Sequence, residues 1–162
     1  MAAYYCYKYS LKKATELLKK YPLPSKEAGC IWSGGSIGQA VSVGCGLAIA
    51  DRTKDVYVLI GDGDMQEGQT YEALLFKSHH KLDNLKVYVD MNKLQACGAV
   101  KDILCTPDWF FEKLGVNLIE TTKGRGVPFI EKMGYKNHYY NLDETGYAQA
   151  LRELADKKGQ KR

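Results

Sequence analysis

Long apolar runs are missing from this 162-residue chain. None approaches the roughly 18 to 20 residues that a membrane-spanning helix needs, so no membrane partner is expected. The stretch Met1 to Lys8 has no apolar core of the kind a secretory leader requires, which points to a cytoplasmic protein. Cysteines are few and unpaired in pattern. The five of them are odd in number and contain no CxxC pair, so neither a disulfide framework nor a thiolate zinc site is suggested, and reduced thiols are expected. A strong excess of one charge is absent too. The formal net charge is +4, and much of it sits in Lys157, Lys158, Lys161 and Arg162, where a solvated tail is a simpler account than a nucleic-acid surface.

What is present is a globular composition, 45% hydrophobic and 26% charged, in a chain of common single-domain size. One domain over 1–162 is expected, with an N-terminal helix region at 4–30, a core at 33–140, and a C-terminal helix and basic tail at 143–162. Leu11, Ala14, Leu17, Leu18 and Tyr21 recur at helical spacing, and Pro22 and Pro24 end that helix. A glycine-rich turn at 33–38 leads into a segment to Ala50 of almost wholly small and apolar residues. Such a helix is stable only when packed closely on a sheet or on a neighbouring chain.

Val56 to Ile60 is a continuous β-branched and aromatic run, the pattern of a strand buried on both faces of a parallel sheet. Gln69 to His80 reads as a helix with Tyr71, Leu74, Leu75 and Ser78 on its buried side. Leu85 to Val89 reads as a second buried strand. Strand, helix, strand is a right-handed parallel crossover, so the fold class is α/β with a mostly parallel sheet flanked by helices. The ends of the two strands, at Asp62 and Asn92, then lie side by side at the carboxyl edge, where ligands of open α/β sheets bind.

Gly61-Asp62-Gly63 places one carboxylate between two glycines. Without Cβ atoms the backbone can approach an anionic group closely while the carboxylate faces a cation. One carboxylate and one amide oxygen form a hard-cation set, suited to magnesium or calcium rather than zinc, and magnesium completes its shell with phosphate oxygens and water. A metal-bound diphosphate follows. The rival readings are local: Asp62 as a turn residue, Asn92 as a cap or Asx-turn, and the 33–38 glycines as a plain turn. His79 and His80, at a helix end, read as solvated.

Three ordered segments carry a resemblance. They are Gly35-Ser36-Ile37-Gly38-Gln39; residues 61–73 together with Met91-Asn92-Lys93-Leu94-Gln95; and Thr121 to Glu131 ahead of His138. Gly61-Asp62-Gly63 followed at a distance by Asn92 resembles the thiamine diphosphate fingerprint, and the flanking residues are similar to the transketolase family. The resemblance implies the thiamine diphosphate-binding fold, specifically its diphosphate domain. It implies that Asp62, the side chain of Asn92 and the backbone carbonyl of Leu94 ligate Mg2+, and that Gly35, Gly61, Gly63 and Lys123 serve the cofactor. Ile37 would pack by the cofactor rings, Glu67 would join a carboxylate network at the subunit interface, and His138 would stand near diphosphate and substrate.

The departures bear on mechanism. Where the family reads Gln-Ile-Asp-Gly, this chain has Gln95-Ala96-Cys97-Gly98. Histidines expected before the glycine turn are absent, and so is a strand and helix, with an Asp-Gly-His-Asp turn, expected between Val116 and Asn117. A pyrimidine-binding half does not fit in this length. The resemblance therefore implies the diphosphate-binding subunit of a split transketolase-like enzyme, a homo- or hetero-oligomer in which a separate subunit supplies the pyrimidine-binding domain, moving a two-carbon ketol unit between sugar phosphates. The alternatives are a shortened non-catalytic paralogue serving in cofactor binding or interaction, and a subunit of another thiamine diphosphate enzyme.

Overall fold

The computed structural model describes residues 10–20, 29–104 and 108–159. Helix α1 spans Leu11–Lys20 and α2 spans Ala40–Ala50. Strand β1, Val56–Gly61, runs into a 3-10 turn at Asp62–Gln66 and then α3, Gly68–His79. Strand β2, Leu85–Met91, is followed by the short α4, Val100–Ile103, and α5, Asp108–Lys113. Strand β3, Asn117–Glu120, precedes α6, Pro128–Lys132, a 3-10 turn at Gly134–Tyr139, and α7, Glu144–Gly159. The expected N-terminal helix is thus α1, and the tyrosines ahead of it lie outside the described residues. Lys157 and Lys158 belong to α7 rather than to a tail.

The three strands form one parallel sheet in the order β1-β2-β3. Val58 pairs with Val87 and Ile60 with Val89, and Val89 in turn with Leu118, so these side chains share one face. On that face α2 contributes Val41, Cys45 and Ala48, and α3 contributes Ala73 and Leu74; Phe111 and Val116 complete the core. Each large apolar side chain taken out of water there contributes about 1.5 to 3 kcal/mol. The small residues of α2 have a geometric reason. A Cβ on Gly44 would stand 2.5 Å from a Val58 methyl and 3.0 Å from a Leu85 methyl, so the helix lies on the sheet at a distance only glycine permits.

Two expectations need correction. β1 is not buried on both faces: Tyr57 is 64% exposed and Leu59 56%, because α2 and α3 both pack on the opposite side. In the register, Tyr57 and Leu59 align with Lys86 and Tyr88, and the rings of Tyr57 and Tyr88 stack 6.4 Å apart. The buried stripe of α3 is Thr70, Ala73 and Leu74; Leu75 is 69% exposed and Ser78 is exposed. On the buried stripe Thr70 donates its hydroxyl to the turn before the helix, and Leu75 faces the other way. No strand and helix intervene before β3. Gly115, with φ of 68°, turns the chain from α5 into β3 directly. Among the described residues no helix is long and apolar enough to cross a membrane.

Candidate functional site at the carboxyl edge

Gly61 pairs with Asp90 at the end of the sheet, so the turns after β1 and β2 leave the same edge together. Asp62 is 4% exposed. Its Oδ2 accepts the Lys93 N–H at 2.6 Å, which ties the two turns and sets Asp62 beside Asn92. Asn92 Oδ1 accepts the Leu94 N–H at 3.0 Å, an Asx-turn. An amide oxygen has two lone pairs, so this bond leaves one for a cation. Lys93 has φ of 63°, the twist that lets the chain fold back, and Leu94 bridges Ala99 across a turn closed by Gln95 N–H to the Gly98 carbonyl at 2.8 Å.

Burial holds the Asp62 carboxyl above its ordinary range. Loss of water is the main cause and the nearby Asp90 charge adds to it, while the Lys93 and Gly63 N–H groups and the Lys123 charge act the other way. A buried carboxylate in need of positive charge fits a cation. Among the described residues no three His, Cys, Asp or Glu side chains gather. A cavity of 380 Å³ opens beside Asp62 and Leu94, walled by Gln66, Met91, Lys101 and Phe111 among others. Lys123 and His138 are not in its walls.

The glycine turn at 33–38 docks onto the same edge through a residue the fingerprint pattern does not point to. Asp64 accepts the Gly38 N–H at 2.8 Å through Oδ1 and the Gly61 N–H at 2.9 Å through Oδ2. Gly38 has φ of 83°, and a Cβ on it would be 2.7 Å from Glu67 Cβ, so Glu67 packs on the turn from the start of α3. Thr70 Oγ1 donates to the Asp64 carbonyl at 2.6 Å, and the Tyr71 hydroxyl donates to the Met65 carbonyl. The first turn of α3 thereby ties down the turn around Asp62. An acid two residues after Asp62, with a hydroxyl in the first turn of the next helix, is the sequence signal for this. At Gly35 a Cβ would meet nothing within 4 Å, leaving open space beside the backbone, and Ile37 is 49% exposed at the same turn.

The loop after β3 brings Lys123 and His138 together. Lys123 Nζ lies 3.0 Å from His138 Nδ1. An ammonium only donates, so Nδ1 accepts and the proton of the neutral ring sits on Nε2. Reduced contact with water, chiefly, and the Lys123 charge push the His138 pKa below its ordinary value, although the residue as a whole is exposed. The loop's shape is set by Gly124, φ of 81°, where a Cβ would be 2.6 Å from an Ile130 methyl. Glu131 accepts the Gly126 N–H at 2.7 Å, and Glu153 of α7 accepts the Phe129 N–H at 3.1 Å. The Thr121 hydroxyl donates to Asp90, fastening the loop's root to β2.

A parallel sheet that gathers a buried carboxylate, an amide oxygen and glycine turns at its carboxyl edge defines an α/β domain with a candidate ligand site at that edge. Residues 19–133 match the family model described as transketolase, thiamine diphosphate binding domain, and the chain belongs to that family. An apulose-4-phosphate transketolase subunit from Actinobacillus succinogenes is 33% identical over 174 residues, covering 86% of this chain and 62% of the relative. The protein of the same description from Phocaeicola vulgatus is 28% identical over 158 residues, covering 76% of this chain and 56% of the relative. The chain therefore spans less than two thirds of the length of these curated relatives. The structure of the Campylobacter jejuni transketolase superposes with a TM-score of 0.71 at 23% identity, over 91% of this chain and 30% of that one, a likeness of fold.

Proposed function

We propose that this chain is the diphosphate-binding subunit of a split transketolase-like enzyme, holding thiamine diphosphate and Mg2+ for two-carbon ketol transfer between sugar phosphates. The observation that carries the reading is the buried Asp62 carboxylate tied through Lys93 to the Asn92 turn, at an edge where the Gly35 backbone leaves open space. The relatives from two organisms are each described as one subunit of a transketolase, which supports a partner chain that supplies the pyrimidine-binding domain.

When bound, the cofactor would supply the electron sink for breaking a carbon–carbon bond next to a carbonyl. The chain's own residues hold and orient. Asp62, the Asn92 side-chain oxygen and the Leu94 carbonyl ligate Mg2+, and the backbones at Gly35, Gly61 and Gly63 face the diphosphate. Lys123 adds positive charge. With Nδ1 engaged by Lys123, His138 presents Nε2–H, a donor poised toward diphosphate and substrate. Ile37 lies by the cofactor rings and Glu67 faces the partner chain.

Mixed with a pyrimidine-binding partner, thiamine diphosphate and Mg2+, the chain should move a two-carbon unit from a ketose phosphate to an aldose phosphate, followed by product chromatography. Cofactor binding without transfer in that mixture favours the second reading, a shortened non-catalytic paralogue. The direct passage from Gly115 into β3, without the intervening strand and helix, is the observation on that side.

A further inference from the structure

Gln95 has a buried donor with nothing to donate to. Its Nε2 is the buried side-chain polar atom that lacks a hydrogen-bond partner among the described residues. The side chain lies against the backbone of Gly63: a Cβ built there would be 3.7 Å from Gln95 Cδ and 3.8 Å from Oε1. The main chain of Gln95 is fixed, since its N–H closes the turn to the Gly98 carbonyl and the flanking Leu94 bridges Ala99. An unpaired buried N–H of this kind costs about 1 to 3 kcal/mol. A group of this kind calls for an acceptor from outside the chain.

We infer that Gln95 is a binding residue of this site, its side-chain amide donating to an oxygen of the metal-bound diphosphate as that group lies across Gly63. The inference rests on the proposed diphosphate site and adds a neutral donor to it. The terminal torsion of glutamine is broad and roughly two-fold, so the amide turns toward an acceptor arriving over Gly63 at little cost while the stem stays packed. A donor suits the place. Asp62, beside Gly63 in sequence, would meet the cation, and the oxygens of a diphosphate would carry the negative charge that an amide N–H recognises.

Calorimetric titration of the full chain with thiamine diphosphate and Mg2+, and separately with inorganic pyrophosphate and Mg2+, tests this in two variants. Gln95→Met removes the donor at similar length, and Gln95→Glu keeps the shape with an anion. Gln95→Met should weaken both ligands about tenfold, the order expected for one hydrogen bond to a charged group, and leave the melting temperature of the ligand-free chain unchanged or raised. Gln95→Glu should weaken them further. Unchanged affinity in Gln95→Met, a loss with the cofactor but not with pyrophosphate, or a lowered melting temperature of the ligand-free Gln95→Met chain would overturn the inference alone. Tighter binding by Gln95→Glu would do the same, since it would mean that an oxygen at this position faces the metal. Failure of the unaltered chain to bind either ligand in Mg2+ overturns the diphosphate site and this inference together.

Discussion

The turn after β1 and the loop after β3 end at one sheet edge, yet the first buries its carboxylate and is tied down at several points while the second holds Lys123 and His138 nearer the surface. Asp62 is fixed by Lys93, and the turn around it by Asp64, Thr70 and Tyr71. Lys123 and His138 meet across 15 residues of chain and touch each other at the surface. On the proposed function the contrast would separate two tasks. Rigid burial suits holding a cation and phosphate, where misplacement by a fraction of an ångström is costly, and an exposed pair suits meeting a substrate that must come and go.

The sharpest break of that contrast is Asp62→Ala. It removes the one buried anion among the proposed ligands, and Mg2+-dependent cofactor affinity should fall by roughly a hundredfold or more, beyond what loss of a group that only orients a ligand does. His138→Ala should change the same affinity only a few-fold. Equal losses in the two variants would erase the distinction between holding and presenting. Asp64→Ala comes next. It strands the Gly38 and Gly61 N–H groups in a half-buried turn and should cost about 2 kcal/mol in chemical denaturation, with binding weakened although Asp64 itself is no ligand. A Cβ on Gly44 should act on the fold without touching the site: Gly44→Ala, clashing with Val58, should cost about 1 to 3 kcal/mol.

The acid–base behaviour of the two regions differs in sign. Folding holds the Asp62 pKa above its ordinary value of 3.8, so the stability this group contributes is full below that pH and is lost as pH rises through the raised value. Above the raised value the buried charge is unfavourable, and there Asp62→Asn should raise the melting temperature of the metal-free chain while removing the proposed metal binding. Folding holds the His138 pKa below 6.5, so its contribution is present above 6.5 and is lost as pH falls toward the depressed value. In a proton NMR titration Lys123→Gln should move His138 part of the way back, because reduced hydration, the larger cause, remains. The smallest effect is expected on the open sheet face, where Leu59→Ser should change the stability of the isolated chain by less than about 0.5 kcal/mol.

The α/β class and the edge where the site lies were legible because β1 and β2 are short apolar runs separated by one helix, and the chain has only one way to make them parallel neighbours. That the Asp62 and Asn92 turns meet was legible because two glycines around an acid end one strand and a distant amide ends its neighbour. Burial was less legible. Tyr57 and Leu59 continue the apolar run of β1 without alternation, so the strand looks buried on both faces when the described helices α2 and α3 cover one. Leu75 follows Leu74 in sequence but not in space: Thr70, on the stripe with Leu74, reaches the preceding turn, and Leu75 faces the other way. Asp64 joins two turns far apart in sequence, and only tertiary structure shows Gly38 beside it. Gln95 belongs to the same class of residue, visible through what its amide lacks.

The most direct test of the account is calorimetric titration of the chain with thiamine diphosphate, with Mg2+ and then with the divalent ion chelated, alone and in complex with a pyrimidine-binding partner. Saturable binding that requires Mg2+ and disappears in Asp62→Ala is the result predicted. Binding that is indifferent to Mg2+, or that survives Asp62→Ala unchanged, would contradict it.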